Sequence, residues 1–500
     1  MALIQCTNVT FAYEGSYDDV FTGLTCQLDT SWRLGLIGRN GRGKTTLLRL
    51  LAGQLQAQGT VHMPLTPALF PFAITAPDIP AQAVALSLAP DVPAWRLGLE
   101  LEQMGMAEEA LARPYRTLSR GEQTKVQLAA LFAREDTYPL IDEPTNHLDM
   151  LGRALVADYL ATKDGFLLVS HDRAFLNRCI DHTLAINRST VQVQRGNFDT
   201  WEREFTRKNE HEQARNQQIK KDVARLTQSA RQKAEWSQRT EKAKYHVKPS
   251  EAAVADRGYI GARAAAMMKR SLAVQARIDQ QIEEKQSLLK DLERVGELKL
   301  TPLTHPKRVL VEARDAAVRY DGRTVCQHVT FTLERGARIA LTGRNGAGKS
   351  SILKALLGQS EALVGDVHIA SGLKVSYVPQ SAEHVQGDLR MWIAEAGVDE
   401  TLFKAILRNM DFGRQQFDKD IRQYSEGQKK KLLLARSLCE QAHLYVWDEP
   451  LNYIDVFSRM QIEELILAAQ PTLILVEHDR AFLERVCTQT VDLDALHCQG

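Results

Sequence analysis

Cysteine is sparse and unpatterned here: seven in 500 residues, with no pair spaced as CxxC. That excludes a disulfide framework and a zinc cluster of paired thiolates, and makes a reducing cytosol the expected compartment. Long apolar runs are missing too, none reaching the roughly 18 residues needed to span a bilayer. The opening Met-Ala-Leu-Ile-Gln-Cys-Thr-Asn has no basic segment followed by an apolar one, so neither a membrane span nor a secretory leader is expected. Net charge is nearly absent, +1 from 63 basic and 62 acidic residues. A chain that binds nucleic acid over its whole surface is thereby excluded, and any basic footprint has to be local. What is present is ordinary for globular protein, 44% hydrophobic and 25% charged residues, in a length that suggests about two to four domains.

Residues 3–37 alternate apolar and polar in short runs broken by turn residues, which predicts strands. They lead into Leu34-Gly-Leu-Ile-Gly38-Arg39-Asn40-Gly41-Arg42-Gly43-Lys44-Thr45. This fits GxxxxGKS/T, with an apolar strand before it and a helical pattern after it. Glycines let backbone N–H groups wrap phosphates, the helix N-terminus adds its dipole, Lys44 reaches the terminal phosphates and the Thr45 hydroxyl can ligate Mg²⁺. About a hundred residues on, Tyr138-Pro-Leu-Ile-Asp142-Glu143 ends an apolar run on two acids. Such a strand delivers Asp142 to a magnesium shell and sets Glu143 beside it to orient or activate water.

The second half repeats the first. Gly343-Arg344-Asn345-Gly346-Ala347-Gly348-Lys349-Ser350 is a second phosphate loop, and Trp447-Asp448-Glu449 a second acidic strand end. Lys44 and Lys349 lie 305 residues apart, Asp142 and Asp448 306, and His171 and His478 307. An offset this constant across three motifs marks a tandem duplication, and two copies exclude a solenoid. Tyr13 and Tyr320 sit at matching places ahead of the two loops, where a flat ring can stack on adenine.

Between the copies run about a hundred charged, mostly helix-forming residues. Ile219, Val223, Leu226 and Ala230 form a narrow apolar seam on an arm from about Arg203 to Lys244, and Ile278, Ile282, Leu289 and Leu292 form another on a return arm. The pattern predicts an antiparallel helical pair about 60 Å long. Residues 231–270 hold ten Lys or Arg against four acids. Lys242, Lys244, Tyr245, His246, Lys248, Arg257 and Tyr259 lie in this stretch, and basic residues mixed with aromatic rings suit phosphate contact plus stacking on unpaired bases, the way structured RNA is read.

The order of phosphate loop, Leu118-Ser119-Arg120-Gly121-Glu122-Gln123, acidic strand and Leu167-Leu-Val-Ser-His171-Asp-Arg resembles an ATP-binding cassette (ABC) nucleotide-binding domain, and Ser425-Glu426-Gly427-Gln428 repeats the signature. The resemblance implies that Ser119 and Gly121 cap the nucleotide held by the second domain, Ser425 and Gly427 that of the first. It implies that His171 and His478 touch the γ-phosphate, with Glu143 and Glu449 catalytic at both sites. It also implies Mg²⁺ held by Thr45 and Asp142 in one site and by Ser350, Gln380 and Asp448 in the other. Two departures stand out: Arg120 in place of a signature glycine, and Phe72 where the first copy should carry the glutamine matching Gln380.

Two such domains with a charged helical linker resemble the ABC-F ATPases, and Asp256-Arg-Gly-Tyr-Ile-Gly-Ala-Arg with Leu451-Asn-Tyr-Ile-Asp455 is similar to their antibiotic-resistance branch, the Lsa and Vga type. The expected fold is α/β: a nucleotide-binding domain over 1–202, a helical hairpin over 203–305 with its tip near 244–262, and a second domain over 306–500. The expected activity is ATP hydrolysis by a cytoplasmic monomer whose two domains pair within one chain. The resemblance implies the ribosome as partner, bound at the tRNA exit site in the ATP state, with the tip reaching 23S rRNA near the P-site tRNA and disfavouring a bound drug. Two alternatives stay open, a transporter ATPase subunit and a housekeeping ABC-F translation factor. A transporter subunit needs no 60 Å basic hairpin.

Overall fold

The computed structural model describes residues 2–14, 19–146, 148–186, 191–244, 300–320, 323–359, 363–410 and 412–494. Two strands, β1 (Leu3–Phe11) and β2 (Phe21–Asp29), precede the first phosphate loop, and β3 (Arg33–Gly38) runs directly into it. Then follow β4 (Gln58–His62), β5 (Thr66–Phe70), β6 (Thr137–Asp142), β7 (Phe166–Val169), β8 (His182–Ile186) and β9 (Val191–Arg195). An antiparallel sheet β2-β1-β4 faces a second sheet ordered β5-β6-β7-β3-β8-β9, parallel except for β9. Its central strands read as apolar runs because helices and the other sheet cover both faces; Phe166–Val169 is buried at every position.

The second copy rebuilds this plan. Its strands are β10 (Val309–Tyr320), β11 (Arg323–Glu334), β12 (Arg338–Thr342), β13 (Leu363–Ile369), β14 (Val375–Val378), β15 (Leu444–Asp448), β16 (Leu473–Val476) and β17 (Gln489–Asp492). They form an antiparallel sheet β11-β10-β13 and a parallel sheet β14-β15-β16-β12-β17. Between the two sheets lie matched cores, Ile4, Leu28, Leu36, Leu47 and Tyr138 in the first copy and Leu310, Leu333, Leu341, Ile352 and Val446 in the second.

This topology is what assembles a site. In both copies the strand carrying the phosphate loop lies beside the one ending at the histidine, and that one beside the strand ending at the two acids. Register puts Asp142 opposite Val169 and Leu36 opposite Val169, and likewise Asp448 and Leu341 opposite Val476. Three motifs far apart in sequence thus emerge together at the carboxyl edge of the sheet, where ligands of open α/β folds bind.

Both copies belong to one compact unit that ends its first segment at Trp201. The helix Phe198–Lys244, 47 residues, starts inside that unit and runs on into a second one. It begins five residues before the expected arm, because Phe198 and Trp201, 0% and 5% exposed, bury its first turn in the domain core. The return arm of the expected hairpin, together with Tyr245, His246, Lys248, Arg257 and Tyr259, lies outside the described residues. So do the side chains of Lys242 and Lys244, which are the last residues of the helix with Ala243.

Candidate functional site: two nucleotide sites

Each phosphate loop turns into its helix, Lys44–Leu51 or Lys349–Leu356, through a left-handed glycine. Gly43 has φ 86° and Gly348 φ 91°. A Cβ on Gly43 would meet Val20 Cγ1 at 2.6 Å, and one on Gly348 would meet Val325 Cγ1 at 2.9 Å. Only glycine satisfies both demands, conformation and space. The two lysines fold back on their loops: Lys44 Nζ donates to Gly38 O at 2.7 Å and Arg39 O at 3.2 Å, and Lys349 Nζ to Gly343 O at 2.7 Å and Arg344 O at 2.9 Å. Burial pushes both ammonium groups below the ordinary lysine value, against the pull of nearby carboxylates.

Beside the loops stand the acids. Thr45 Oγ1 donates to Asp142 Oδ2 at 2.8 Å, and Ser350 bonds Asp448 in the same way. Burial raises both aspartates above the usual carboxylate range. Asp448 Oδ1 is buried without a hydrogen-bond partner, an orphan oxygen of the kind a hard cation satisfies. A hydroxyl and one carboxylate per site, all oxygen, fit Mg²⁺ that takes its remaining ligands from phosphate and water. Among the described residues no cluster of three His, Cys, Asp or Glu could hold a metal by itself.

The glutamate and histidine of each copy meet. His171 Nε2 lies 3.2 Å from Glu143 Oε1, and His478 Nε2 3.3 Å from Glu449 Oε1. Both glutamates hold positive φ, 50° and 49°, a conformation costing a non-glycine residue about 1–3 kcal/mol and typical of functional positions. Their electrostatics diverge. Burial and neighbouring Asp142 push Glu143 up to about 8, while burial holds the His171 imidazole well below its ordinary value. Burial also acts to raise Glu449, but His478, the Gln380 amide and Lys430 outweigh it and bring the carboxyl down to about 2.

The two copies face each other across these motifs. Ser119 and Gly121 of the first copy line one cavity of about 560 Å³ with Gly346, Lys349, Gln380 and Glu449 of the second. The signature of one half therefore lies across from the phosphate loop of the other. On the opposite side, Asn40 Nδ2 donates to Tyr453 O at 2.8 Å, and Gly427 packs on Tyr453 so closely that its Cβ position would be 3.0 Å from that of the tyrosine. Ser119 and Ser425 each cap a signature helix, Arg120–Ala133 and Glu426–Cys439, in reciprocal boxes with Glu122 and Gln428, the arrangement that S-x-x-E/Q predicts.

Some expected residues serve less directly. Tyr13, with 41% of its surface exposed, bonds Thr46 Oγ1 at 3.0 Å and sets its ring edge-on to Phe11. Tyr320 ends β10, and its side chain is outside the described residues. Arg42 and Ala347 shape loop turns by donating backbone N–H to Arg39 O and Arg344 O. The Phe72 backbone N–H donates to Gln127 Oε1 at 2.8 Å, and its ring offers a cation nothing.

Sequence reading missed several contacts between the halves. Arg39 sets its guanidinium over the Phe457 ring, 5.5 Å from the centroid. Arg173, just after His171-Asp172, bonds the buried Glu463 of the second copy, which also pairs with Arg485. Asp455 and Asp149 cap the helices that follow the acidic strands. Those caps carry a local signal; the cross-half pairs carry none.

Comparisons with known proteins agree with this geometry. The family model described as ABC transporter matches residues 21–146 and 326–452. The chain is 31% identical over 493 residues to the ATP-binding protein Uup of Caulobacter vibrioides, covering 95% of this chain and 75% of that one. To the ribosome protection protein VmlR of Bacillus subtilis it is 29% identical, covering 97% and 85%. To the energy-dependent translational throttle protein EttA of Mycobacterium tuberculosis it is 27% identical, covering 79% and 67%. The archaeal ribosome recycling factor aABCE1, solved in complex with the stalk protein aP1, shares the fold with a TM-score of 0.63 at 19% identity, over 97% of this chain and 87% of that one.

Fold and sites together define a tandem ATP-binding cassette protein, two nucleotide-binding domains in one polypeptide. The chain belongs to the ABC-F family of ATPases, and it is an ATP hydrolase. Among the described residues no helix is long and apolar enough to cross a membrane.

Proposed function

We propose that this ATPase acts on the ribosome as a protection factor of the Lsa and Vga type. In its Mg²⁺-ATP state it binds the tRNA exit site as a monomer in the cytoplasm. The linker tip, residues 244–262, then reaches the peptidyl-transferase region and disfavours lincosamide, streptogramin A or pleuromutilin drugs, and hydrolysis releases the protein. Glu143 and Glu449 act on the attacking waters, His171 and His478 on the γ-phosphates, and Thr45 with Asp142 and Ser350 with Asp448 and Gln380 hold the metal. When bound, the metal neutralises charge that develops on the phosphates.

The observation that carries this reading is likeness over 97% of the chain to a protein named for ribosome protection, joined to a basic, aromatic stretch where the linker tip falls. A housekeeping role is the second reading, favoured by the similarity to a translational throttle. Drug susceptibility separates them. A sensitive host expressing the full chain is expected to tolerate at least one of the three drug classes, and the same chain lacking residues 244–262 is expected to give no tolerance. Unchanged susceptibility with the full chain would favour the housekeeping role.

Phosphate contact by the tip has its own signature. Replacing Lys242, Lys244 and Lys248 with Gln is expected to weaken co-sedimentation with ribosomes. It should also flatten the slope of log affinity against log salt by up to about 3 units, close to one for each phosphate no longer neutralised. An unaltered slope would remove these lysines from the interface.

A further inference from the structure

One buried cation ties the signature of one nucleotide site to the reacting groups of the other. Lys430 lies one turn into the Glu426–Cys439 helix, whose cap Ser425 belongs to the signature facing the first domain's nucleotide. Its side chain runs the other way. Only 3% exposed, it lines the second site's cavity, where Nζ donates to Pro379 O at 2.8 Å and Glu449 O at 3.2 Å. Pro379 precedes Gln380, so one ammonium group grips both the loop bearing the metal-site glutamine and the backbone of the glutamate. Glu449 Oε2 is held in turn by Asn452 Nδ2 at 2.6 Å.

Among the described residues the first copy has no such tie. The constant offset puts Thr124 at the corresponding place, and its hydroxyl donates to Arg120 O at 3.0 Å, within its own helix. Gln127, one turn further on, reaches the Phe72 backbone but not Glu143. The signature helix of the first domain is thus held to the loop beside its own metal site and not to its glutamate, while that of the second is held to both.

We propose that Lys430 is a positioning residue of the second site, the one built on Lys349, Asp448 and Glu449, and that through it nucleotide capped by Ser425 in the first site sets the alignment of Glu449 and Gln380 in the second. Only the second site's glutamate is tied in this way, because Thr124 bonds within its own helix. This rests on the assignment of Glu449 and Gln380 as working groups. Its consequence is unequal turnover, faster at the second site and dependent on occupancy of the first.

The test isolates the second site by placing Lys430 variants in a Glu143→Gln chain, with steady-state ATP turnover as the readout. Lys430→Thr, which copies the first domain, is expected to lower kcat about ten- to a hundredfold, the scale of a misplacement near 1 Å, with KM changed less than about twofold because the phosphate loop is left intact. Lys430→Arg, able to donate to both carbonyl oxygens, is expected to recover most of the loss. Lys430→Met keeps the volume and removes the donor. It should repeat the Thr result, with thermal melting and binding of a fluorescent ATP analogue checking that it is folded and loaded. Thr124→Val in a Glu449→Gln chain is expected to leave the residual first-site turnover unchanged. A kcat within twofold of the parent for folded Lys430→Met would overturn the proposal, as would an effect confined to KM. Failure of the underlying assignment looks different: the Glu143→Gln, Glu449→Gln chain would itself turn over normally.

Discussion

A chain carrying both Glu143→Gln and Glu449→Gln is expected to bind ATP with nearly unchanged affinity and to hydrolyse it about 100-fold or more slowly, the lower range for loss of a positioned general base. The amide keeps the shape of the carboxylate but cannot take a proton from water. Neither glutamate belongs to the phosphate loops expected to cradle the nucleotide, so binding should survive. Each sits within 3.3 Å of its histidine on a left-handed backbone fixed by the strand end, so replacement should not move its neighbours. Phosphate release under saturating ATP measures the first half of the expectation, and retention of labelled nucleotide through gel filtration the second. Ordinary turnover would show that hydrolysis takes its base from elsewhere.

The second large effect is on stability. Glu463→Ala is expected to cost about 3–5 kcal/mol, the usual result of stranding one partner of a buried ion pair. Arg173 and Glu463 side chains retain 5% and 1% of their exposure, so the guanidinium would find little water in place of the lost carboxylate. Arg485, at 55%, can return to solvent and adds little to the cost. Urea unfolding of the nucleotide-free chain measures the difference. Arg173→Met combined with Glu463→Leu should recover most of it, since two apolar groups leave no charge stranded. A change below about 1 kcal/mol for Glu463→Ala would mean that the halves separate there without cost.

That pair also marks where the duplicated halves stop being alike. Arg480 holds the place of Arg173 in the second copy, yet it is 72% exposed and pairs with Glu484 in its own helix. Ala157 stands where the second copy has Glu463, so no carboxylate awaits it across the interface. The cavity on that side is about 560 Å³, whereas Asn40, Arg39 and Arg173 of the first copy all make contacts to the second. The contacts across the interface are therefore not the same on its two sides.

How much of this was legible depended on distance along the chain. Phosphate loops and acidic strand ends could be read because their chemistry needs particular residues a few positions apart. The duplication then told which residues answer each other, and Phe72 against Gln380 was visible at once. The same comparison would have exposed Lys430 against Thr124, had the signature helix been aligned beyond its first turn. Pairs such as Arg173 with Glu463, 290 residues apart, were not legible, since nothing local distinguishes an arginine that crosses an interface from one that faces water. The helix start at Phe198 was missed for a related reason. Phe198 and Trp201 fall within the expected first domain, and only tertiary packing shows them to be the first turn of the arm.

That first turn roots the long helix at the interface between the two copies. The Trp201 ring stands edge-on to Phe457 with centroids 5.6 Å apart, and the guanidinium of Arg39 in the first phosphate loop also lies over the Phe457 ring. A single ring thus touches both the root of the helix and the loop that grips nucleotide. At about 1.5 Å per residue, the 47 residues from Phe198 to Lys244 give a needle of roughly 70 Å. Whatever displaces the Phe457 ring therefore disturbs the seat of the helix and the first phosphate loop together.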